Sequence, residues 1–591
     1  MAKSKTLATG CMDSSESYAE PSEHTSLLLM GVLDWVILVG FLAYTIWDGI
    51  RHTQEKRDLE SLVLASRQTP WWAAGLSVMA TQASAITFIG TTGLAFMHDM
   101  RFLQVYLGLP LAMVILSVTL VPLYHRLKVY TIYEALEDRF GLRLRLTTSF
   151  LFLLSRGASL GFSISAPAYV LALLFGVPLK TTIIIMGIIA TIYTMFGGIG
   201  GVIRTDMKQM ILMMLALVFC LFWIIGGFPA DVSWLDGLRL AGKLDKLTTI
   251  DLSFDPQEKY NLWSGIIAGG FLMLSYFGAD QSQVQRVLTA RTLADARSSL
   301  LMSGILKVPL QFFILLIGVY LYIFYVFEDR PLLFKSSDQT AQMTSFESDF
   351  QQIQDQRKVA ARNCLLGNCA DFIEKDKEAV MLRKKALHEA SVQQGKVQDD
   401  TNYVFPFFIL SQLPTGVVGL ILAAILAAAL SSIDSGLNSL ATSSVIDWLR
   451  RLQSRPRGDR YYYLATRWAT AAWGVLATSS AVAFGETDAI IEIVNKVGSF
   501  FYGPILGVFI LLWLPRATSK SAFWGFILGF AVVVFIGGWY LGEETQTYIW
   551  EFPFGMHPEG YHPMLEYLWL NPIGVLVVIL CGMGLGNGKK S

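Results

Sequence analysis

AAGLSVMATQASAITFIGTTGLAF (Ala73–Phe96) is apolar and long enough to cross a bilayer, yet small and polar residues interrupt its middle. A second stretch, SGIIAGGFLMLSYFGADQSQ (Ser264–Gln283), has the same character and lies five predicted spans later. Glycines occur in both, at Gly75, Gly90, Gly93, Gly265, Gly269, Gly270 and Gly278. Paired, interrupted helices at matching positions in two halves of a chain are typical of an inverted repeat with a binding site at the bilayer midplane. The alternative is that these glycines only allow close helix packing.

The composition predicts a membrane protein. Of 591 residues, 53% are hydrophobic and 16% are charged, whereas a soluble domain carries about 25% charged residues. Apolar windows of about 20 residues recur along the whole length, as expected for an all-α, multi-pass protein of the cell membrane. The net charge is zero, which gives no indication of nucleic-acid binding. The thirteen predicted spans are 27–49, 71–96, 102–124, 146–175, 180–197, 206–227, 261–281, 300–327, 414–447, 463–483, 488–513, 521–541 and 568–586.

These spans predict two five-helix repeats with additional segments before, within and after them. The first repeat covers about 71–227 and the second about 261–513, and the segments 71–281 and 261–513 overlap at the junction. The additions are a polar tail (1–26), an extra first helix (27–49), a long loop (328–402) and two carboxyl-terminal helices (521–586).

The distribution of basic residues predicts the orientation. Lys and Arg concentrate in alternate short loops, for example at Arg51–Arg67, Arg126–Arg145, Arg286–Arg297 and Arg450–Arg460. The positive-inside rule then puts the amino terminus outside and the carboxyl terminus in the cytoplasm. Loop 328–402 is external and also basic, which is tolerated because loops longer than about 60 residues cross largely regardless of charge. Its segments 348–363 and 372–390 are predicted to be exposed polar helices. We expect a solvated excursion there; the alternative is a lid or a partner-docking role.

The histidines argue against an enzyme. All seven fall in tails, loops or helix ends, at positions 24, 52, 98, 125, 388, 557 and 562. Haem and catalytic metal sites within a membrane usually need histidine ligands at depth. A membrane redox enzyme or metalloprotease is therefore not predicted.

The ninth span carries the polar groups that can hold a cation. In AAALSSIDSGLNSLAT (Ala427–Thr442), helical spacing puts four polar residues on one face with Asp434 beside them: Ser431, Ser435, Asn438 and Thr442. Hydroxyls there, with carbonyls freed near Ala80 and Ala83 by an unwound second span, suit a weakly bound alkali cation better than Ca²⁺ or Mg²⁺. The serines could instead only join helices, but a carboxylate inside a membrane is a functional candidate by default.

Four stretches together resemble the sodium:solute symporter family. They are WWAAGLSVMATQASAITFIGTTG (71–93), GGIGGVIRTDMKQM (197–210), GADQSQVQRVLTARTLADAR (278–297) and AAALSSIDSGLNSLAT (427–442). The family includes sodium/glucose, sodium/proline, sodium/iodide and sialic acid carriers and has the LeuT-type fold. The resemblance implies Na⁺-coupled import of a small organic solute by alternating access. The alternative is a sodium-gated channel or ligand sensor on the same scaffold.

The resemblance also implies the sodium ligands. The main site corresponds to the carbonyls of Ala80, Ala83 and Ala428 and the hydroxyls of Ser431 and Ser432. A second site, present in some members, corresponds to Asp206, Ser431, Asp434 and Ser435. Sialic acid carriers have serine where this chain has Asp434, so the second site could be stronger, altered or protonatable. Without the resemblance, Asp206 would be interpreted as a carboxylate that stabilises a helix start.

The substrate positions match the family less well. Thr87 and Tyr106 stand where the bacterial galactose carrier has glutamine and glutamate, and Ser159 stands where carriers have asparagine or arginine. These differences argue against a galactose or sialic acid carrier of the known kinds. Arg156, one turn before Ser159, could meet an anionic substrate or pair with Glu134 or Asp138.

Two further pairs complete the predicted sites. Asp280 and Gln281 end the interrupted seventh span, where they could face the substrate or a gate, or only cap the break. Cys364 and Cys369 lie close together in the predicted external loop, where a disulfide could form.

Overall fold

The computed structural model describes residues 30–51, 58–175, 177–335, 341–394, 399–484, 490–542, 547–551 and 561–585. The predicted tail 1–26 lies outside these residues. The first half contains α1 (Val32–Arg51), α2 (Leu59–Leu64), α3 (Trp71–Gln82), α4 (Ala85–Met97), α5 (Leu109–Val118), α6 (Leu120–Leu127), α7 (Glu134–Phe140), α8 (Leu142–Phe175), α9 (Leu179–Gly226) and α10 (Trp234–Lys243).

The second half begins with a π-helical turn, Ser264–Gly269, and continues as helix. It contains α11 (Gly270–Ala279), α12 (Gln281–Leu288), α13 (Leu293–Phe327), α14 (Ala341–Leu365), α15 (Ala370–Gln394), α16 (Val404–Gln412), α17 (Val417–Ser443), α18 (Asp459–Phe484), α19 (Ile490–Ile510), α20 (Ser519–Gly537) and α21 (Leu570–Gly584). A small antiparallel sheet, which the sequence did not predict, separates the last two helices in the order β2 (Tyr548–Trp550), β1 (Trp539–Gly542), β3 (Tyr561–Pro563).

The prediction of an all-α membrane fold is confirmed. In the described part of the chain, eight helices are long and apolar enough to cross a bilayer, or nine if the bent pair α3 and α4 is one span. Among the described residues, each of the thirteen predicted spans overlaps helix, and span 521–541 ends in β1. The number of crossings and the orientation stay predictions.

Helix α9 joins two predicted spans. Its 48 residues would extend about 70 Å if straight, more than twice the thickness of a hydrocarbon core. It bends at Gly198, whose φ of 54° and ψ of −172° are not helical. The predicted loop between 197 and 206 is therefore helical apart from this kink. Asp206 lies well inside the helix, so the interpretation of Asp206 as a helix-start carboxylate is wrong.

Both predicted interruptions exist, and the second lies at the end of its stretch, just after Gly278. The axes of α3 and α4 meet at 54°, and Ala83 and Ser84 form the break. The second break is at Asp280, an extended residue between α11 and α12. Gly265 and Gly269 instead pack directly on the backbone carbonyls of Gln104 and Val105, which is the close-packing role.

Helix α17 lies at the centre of the molecule and packs against α9, α8, α1 and α18. Its side chains are buried from Ile421 to Ser443. Asp34 of α1 caps it, because its carboxylate accepts hydrogen bonds from the amides of Gly416 and Gly419, each at 2.7 Å. The polar face predicted for this helix is therefore enclosed on all sides by protein.

The described part of the predicted loop 328–402 is folded, and its two predicted helices are present as α14 and α15. Helices α14 and α15 form a hairpin closed by a disulfide between Cys364 and Cys369. It has an apolar core of its own, made of Leu332, Met343, Phe350, Ala379 and Ala386. It also packs on α10 and α13.

Candidate functional site

The break after α3 faces the middle of α17. The Ser432 hydroxyl donates to the carbonyl of Thr81 at 3.1 Å and to that of Ala428 at 3.3 Å. Because α3 ends at Gln82, carbonyls of its last turn, Ala80 among them, have no following helical amide to accept from. Carbonyl and hydroxyl oxygens of the two elements thus converge, as a weak alkali-cation site requires.

Ser431 lies on the side of α17 that faces α9. Its hydroxyl is fully buried and near the Asp206 carboxylate. This hydroxyl thus lies between the two predicted cation positions.

Asp206 is paired with an arginine that the sequence did not single out. Its Oδ2 lies 3.3 Å from Nη2 of Arg286 and accepts a hydrogen bond from Ser77. The Arg286 Nε donates to Ser77 at 2.8 Å, and its Nη2 also donates to Ser435. The interpretation of Arg286 as a cytoplasmic loop residue is wrong, because α12 returns into the bundle and leaves Arg286 fully buried.

Asp434 is the unusual group of this cluster. It is fully buried, and among the described residues neither of its carboxylate oxygens has a hydrogen-bond partner. Asp206 and Arg286 are both within electrostatic range. Two carboxylates therefore face one guanidinium, and the cluster is one positive charge short of neutrality when both are ionised.

A second polar cluster lies between α4 and α13. Lys307 is fully buried, with its ammonium 5.2 Å from the ring centre of Tyr106 and no hydrogen bond to any described residue. One turn on, the Gln311 amide donates to Thr91 at 3.0 Å. The hydroxyl of Thr87, one turn before Thr91, donates to the carbonyl of Gln82 at 3.3 Å.

Lys307 could have been found from the sequence. It is the one residue among Asp, Glu, Lys, Arg and His within the predicted span 300–327, and such residues mark functional sites by default. The structure brings it to Tyr106, which was predicted to be a substrate position. A small recess beside Ala83 and Thr87 is lined mainly by methionine and aliphatic side chains and so offers little to a polar solute.

Arg156 pairs with Asp280, and the predicted pairing with Glu134 or Asp138 is wrong. Its Nη1 lies 3.7 Å from Asp280 Oδ2, which also accepts a hydrogen bond from Tyr502 at 3.0 Å. Asp280 caps α12 as well, through the amide of Ser282 at 2.8 Å. This residue therefore holds the second break in place and ties it to α8 and α19.

Gln281 and Ser159 make local contacts. The side chain of Gln281 accepts from the amide of Ile132 and donates to the carbonyl of Tyr130, each at 3.0 Å. The Ser159 hydroxyl donates to the carbonyl of Arg156 at 3.1 Å. Both polar groups of Gln281 are thus engaged in joining α12 to the loop before α7.

Comparisons with known proteins give matches over most of the chain. The profile of the sodium:solute symporter family matches residues 62–344 and 384–529. A sodium/sialic acid symporter from Aliivibrio fischeri is 25% identical over 86% of this chain and 88% of its own length. A sodium/glucose cotransporter from Vibrio parahaemolyticus is 23% identical over 86% of this chain and 85% of its own length.

One solved structure matches nearly the whole fold. It is a Na⁺-coupled sialic acid symporter in a substrate-bound, outward-open state, with a TM-score of 0.72 and 22% identity. The match covers 94% of this chain and 97% of that chain. The predicted LeuT-type architecture is thereby confirmed.

Proposed function

The chain belongs to the sodium:solute symporter family, and we propose that its coupling ion binds between the α3 break and α17. It is a multi-pass membrane transporter that couples Na⁺ to the import of a small solute by alternating access. The proposed primary ligands are the carbonyls of Ala80, Ala83 and Ala428 and the hydroxyls of Ser431 and Ser432. The contact between Ser432 and the Thr81 carbonyl supports this site, because it joins the two elements at the break.

Sodium dependence of uptake tests the primary site. Ser431→Ala and Ser432→Ala each remove one hydroxyl ligand. Each should therefore raise the Na⁺ concentration for half-maximal uptake about tenfold, because the lost interaction is about as strong as one hydrogen bond. Ser439→Ala is the control, since its buried hydroxyl bonds only to the backbone of Gly436 in the same helix. Unchanged sodium dependence in both variants would refute the site. Uptake that only equilibrates the solute would instead support a channel.

A second cation is proposed at Asp434. The observation that carries it is a buried carboxylate without a hydrogen-bond partner among the described residues, next to an Asp206 already neutralised by Arg286. Burial of an unpaired charge is costly, so the site should hold either Na⁺ or a proton. Ser431 and Ser435 would contribute oxygens, and Asp206 would contribute through the oxygen that Arg286 does not contact.

Competition between Na⁺ and protons tests this second site. In the wild type, acidification should shift the Na⁺ activation curve to higher concentration, because a proton and Na⁺ compete for Asp434. In Asp434→Asn the shift should disappear, and the Hill coefficient for Na⁺ should fall towards one. A wild-type curve that does not move with pH, together with an unchanged Hill coefficient in the variant, would show that Asp434 is only structural.

The proposed solute is a small carboxylate. Of the two relatives, one is named for an acid and the other for a neutral sugar, so the relatives do not decide the class. Lys307 supports an anion, because its buried ammonium has no anionic partner in the described part of the chain. Gln311 and Tyr106 beside it could orient the rest of the solute.

Competition for uptake tests the solute class. Carboxylates should inhibit Na⁺-dependent transport in a library screen, while their amides and methyl esters should inhibit at least tenfold less, which is about 1.4 kcal/mol. Lys307→Met should remove this difference, and Arg362→Gln is the control because Arg362 is an exposed residue paired with Asp231. Equal inhibition by acids and amides in the wild type would overturn the carboxylate proposal without affecting sodium coupling.

A further inference from the structure

A cluster of buried charges lies where the α14–α15 hairpin meets the ends of α4 and α13. Its members, called here the hairpin cluster, are Lys246, Arg330, Arg357 and Asp376. Each exposes 6% of its surface or less. The cluster thus holds three basic groups and one carboxylate away from solvent.

The one carboxylate of the hairpin cluster, Asp376, already contacts Arg357 and Tyr322. Nη2 of Arg357 lies 2.6 Å from Oδ1 of Asp376, and the Tyr322 hydroxyl donates to the same oxygen at 2.8 Å. Lys246 donates to the carbonyls of Phe96 and Met97, at 2.7 and 3.0 Å, where α4 ends. These contacts use Asp376 for Arg357 and leave the other two cations without a carboxylate.

Two N–H groups of Arg330 are unpaired among the described residues. Its Nε and Nη1 are buried and have no hydrogen-bond partner in the part of the chain that the structure describes. Four aromatic rings surround its guanidinium at 5.1 to 6.0 Å, those of Phe96, Tyr322, Phe334 and Phe350. Rings offset part of the cost of burying a cation, but they do not accept the in-plane N–H groups.

The surrounding charged residues do not neutralise the cluster. Arg383 pairs with Asp400, and Asp99 pairs with Arg101 at 2.9 Å. Arg101 also lies 3.6 Å from Asp251, so these neighbouring carboxylates are already engaged by other arginines. Among the four members of the hairpin cluster, two positive charges therefore remain in excess when Lys246 is protonated. Burial lowers the pKa of Lys246 to about 7; the attraction of Asp376 opposes this shift, and repulsion from Arg357 and Arg330 adds to it. Burial and the neighbouring arginines lower the pKa of Arg330 to about 9.

We propose that the hairpin cluster binds a small inorganic anion, such as chloride, between Arg330, Arg357 and Lys246. The anion accepts the free N–H groups of Arg330 and reduces the excess charge. Because Lys246 holds the end of α4 and Arg357 belongs to α14, the anion fastens the hairpin to the helix that follows the first break. This site is separate from the sodium and solute sites.

Thermal unfolding of the purified full-length protein tests the anion site. At pH 6.5, with Na⁺ and ionic strength held constant, replacing gluconate by chloride should raise the Tm of the wild type by several degrees and saturably. Arg330→Gln should abolish the chloride-dependent increment. Arg362→Gln is the control and should retain it, because Arg362 is an exposed α14 residue paired with the exposed Asp231.

The chloride effect should also depend on pH with a defined sign. The anion favours the protonated form of Lys246, whose pKa without the anion is about 7. Chloride stabilisation should therefore be largest below pH 7 and decline as the pH rises towards 9, where Lys246 is neutral. The other titratable or charged groups facing Lys246 are Asp376, Asp99, Arg357, Arg330 and Tyr322.

A direct binding measurement keeps the proposal open to refutation if Arg330→Gln does not fold. Radioactive chloride should bind the wild type saturably, bromide should displace it, and gluconate should not. Absence of saturable binding, or equal Tm values in chloride and gluconate at pH 6.5, would overturn the proposal. A chloride increment that Arg330→Gln retains would also overturn it.

Discussion

Arg286 is a fixed cation that stands against Asp206 in the centre of the protein. Both side chains are fully buried, and their contact also holds Ser77 and Ser435. Removing one partner of a buried pair leaves the other charge uncompensated, at a cost of about 3–5 kcal/mol. Arg286→Gln should therefore lower the yield of folded protein and its Tm, measured by fluorescence-detected size exclusion with a heating step.

The double variant provides the control for this prediction. Asp206→Asn with Arg286→Gln removes both charges, so it should be more stable than Arg286→Gln alone. Arg286→Lys should not restore stability fully, since one ammonium cannot reach Ser77, Ser282 and Ser435 together as the planar guanidinium does. If the double variant is no more stable than Arg286→Gln alone, the charge of Arg286 is not needed to neutralise Asp206.

The contrast between Asp434 and Arg286 shows which site residues the sequence can predict. Asp434 and the serines of α17 follow from helical spacing and from a motif that resembles a family. Arg286 belongs to another of those motifs, but a basic residue after an apolar span is the usual sign of a cytoplasmic loop. Only the fold shows that α12 turns back into the bundle after Asp280, which buries Arg286. Lys307 was missed because one lysine hardly changes the hydropathy of a long apolar window.

At the scale of elements, the kink in α9 orients Asp206 and depends on one glycine. Gly198 has a φ of 54° and a ψ of −172°, a conformation essentially restricted to glycine that costs other residues about 1–3 kcal/mol. A Cβ there would also lie 2.8 Å from the carbonyl of Leu62. We expect Gly198→Ala to lower the Tm and weaken Na⁺-dependent uptake.

Gly226→Ala is a matched control in the same helix, because a Cβ at Gly226 meets no described atom within 4 Å and its φ is not positive. It should leave the Tm and uptake almost unchanged. If Gly198→Ala behaves like this control, the kink is not needed to hold Asp206 in place.

Breaks and bends mark the limit of what periodicity predicts for the elements. The long apolar helices follow from composition, and the break at Ala83–Ser84 lies where small and polar residues concentrate. The second break follows Gly278 directly, whereas Gly265 and Gly269 of the same stretch serve the contact with Gln104 and Val105. The polar sequence of the α14–α15 hairpin predicts helices but does not show that they pack together. Arg357 and Arg383 in this polar sequence are buried, because each contacts a carboxylate and an aromatic ring.

At the scale of the whole molecule, charge balance links the proposed second cation to the proposed anionic solute. One Na⁺ with a monoanion is electroneutral, so the membrane potential would contribute nothing to accumulation. A second cation makes the cycle carry one net positive charge, which gains about 2.3 kcal/mol per 100 mV. A tenfold Na⁺ gradient adds about 1.4 kcal/mol for each Na⁺. The extra carboxylate at Asp434 would therefore decide whether voltage drives transport.

We predict that Asp434→Asn converts transport from electrogenic to electroneutral. The wild type should show solute-evoked inward current proportional to radiotracer uptake, with close to one charge per solute. The variant should still take up solute with Na⁺, but with much less current per solute, since only the primary ion remains. Simultaneous current and flux measurements under voltage clamp give this ratio. Arg362→Gln, on the exposed face of the hairpin, should keep the wild-type ratio. An unchanged ratio in Asp434→Asn would mean that this carboxylate binds no transported cation, neither Na⁺ nor a proton.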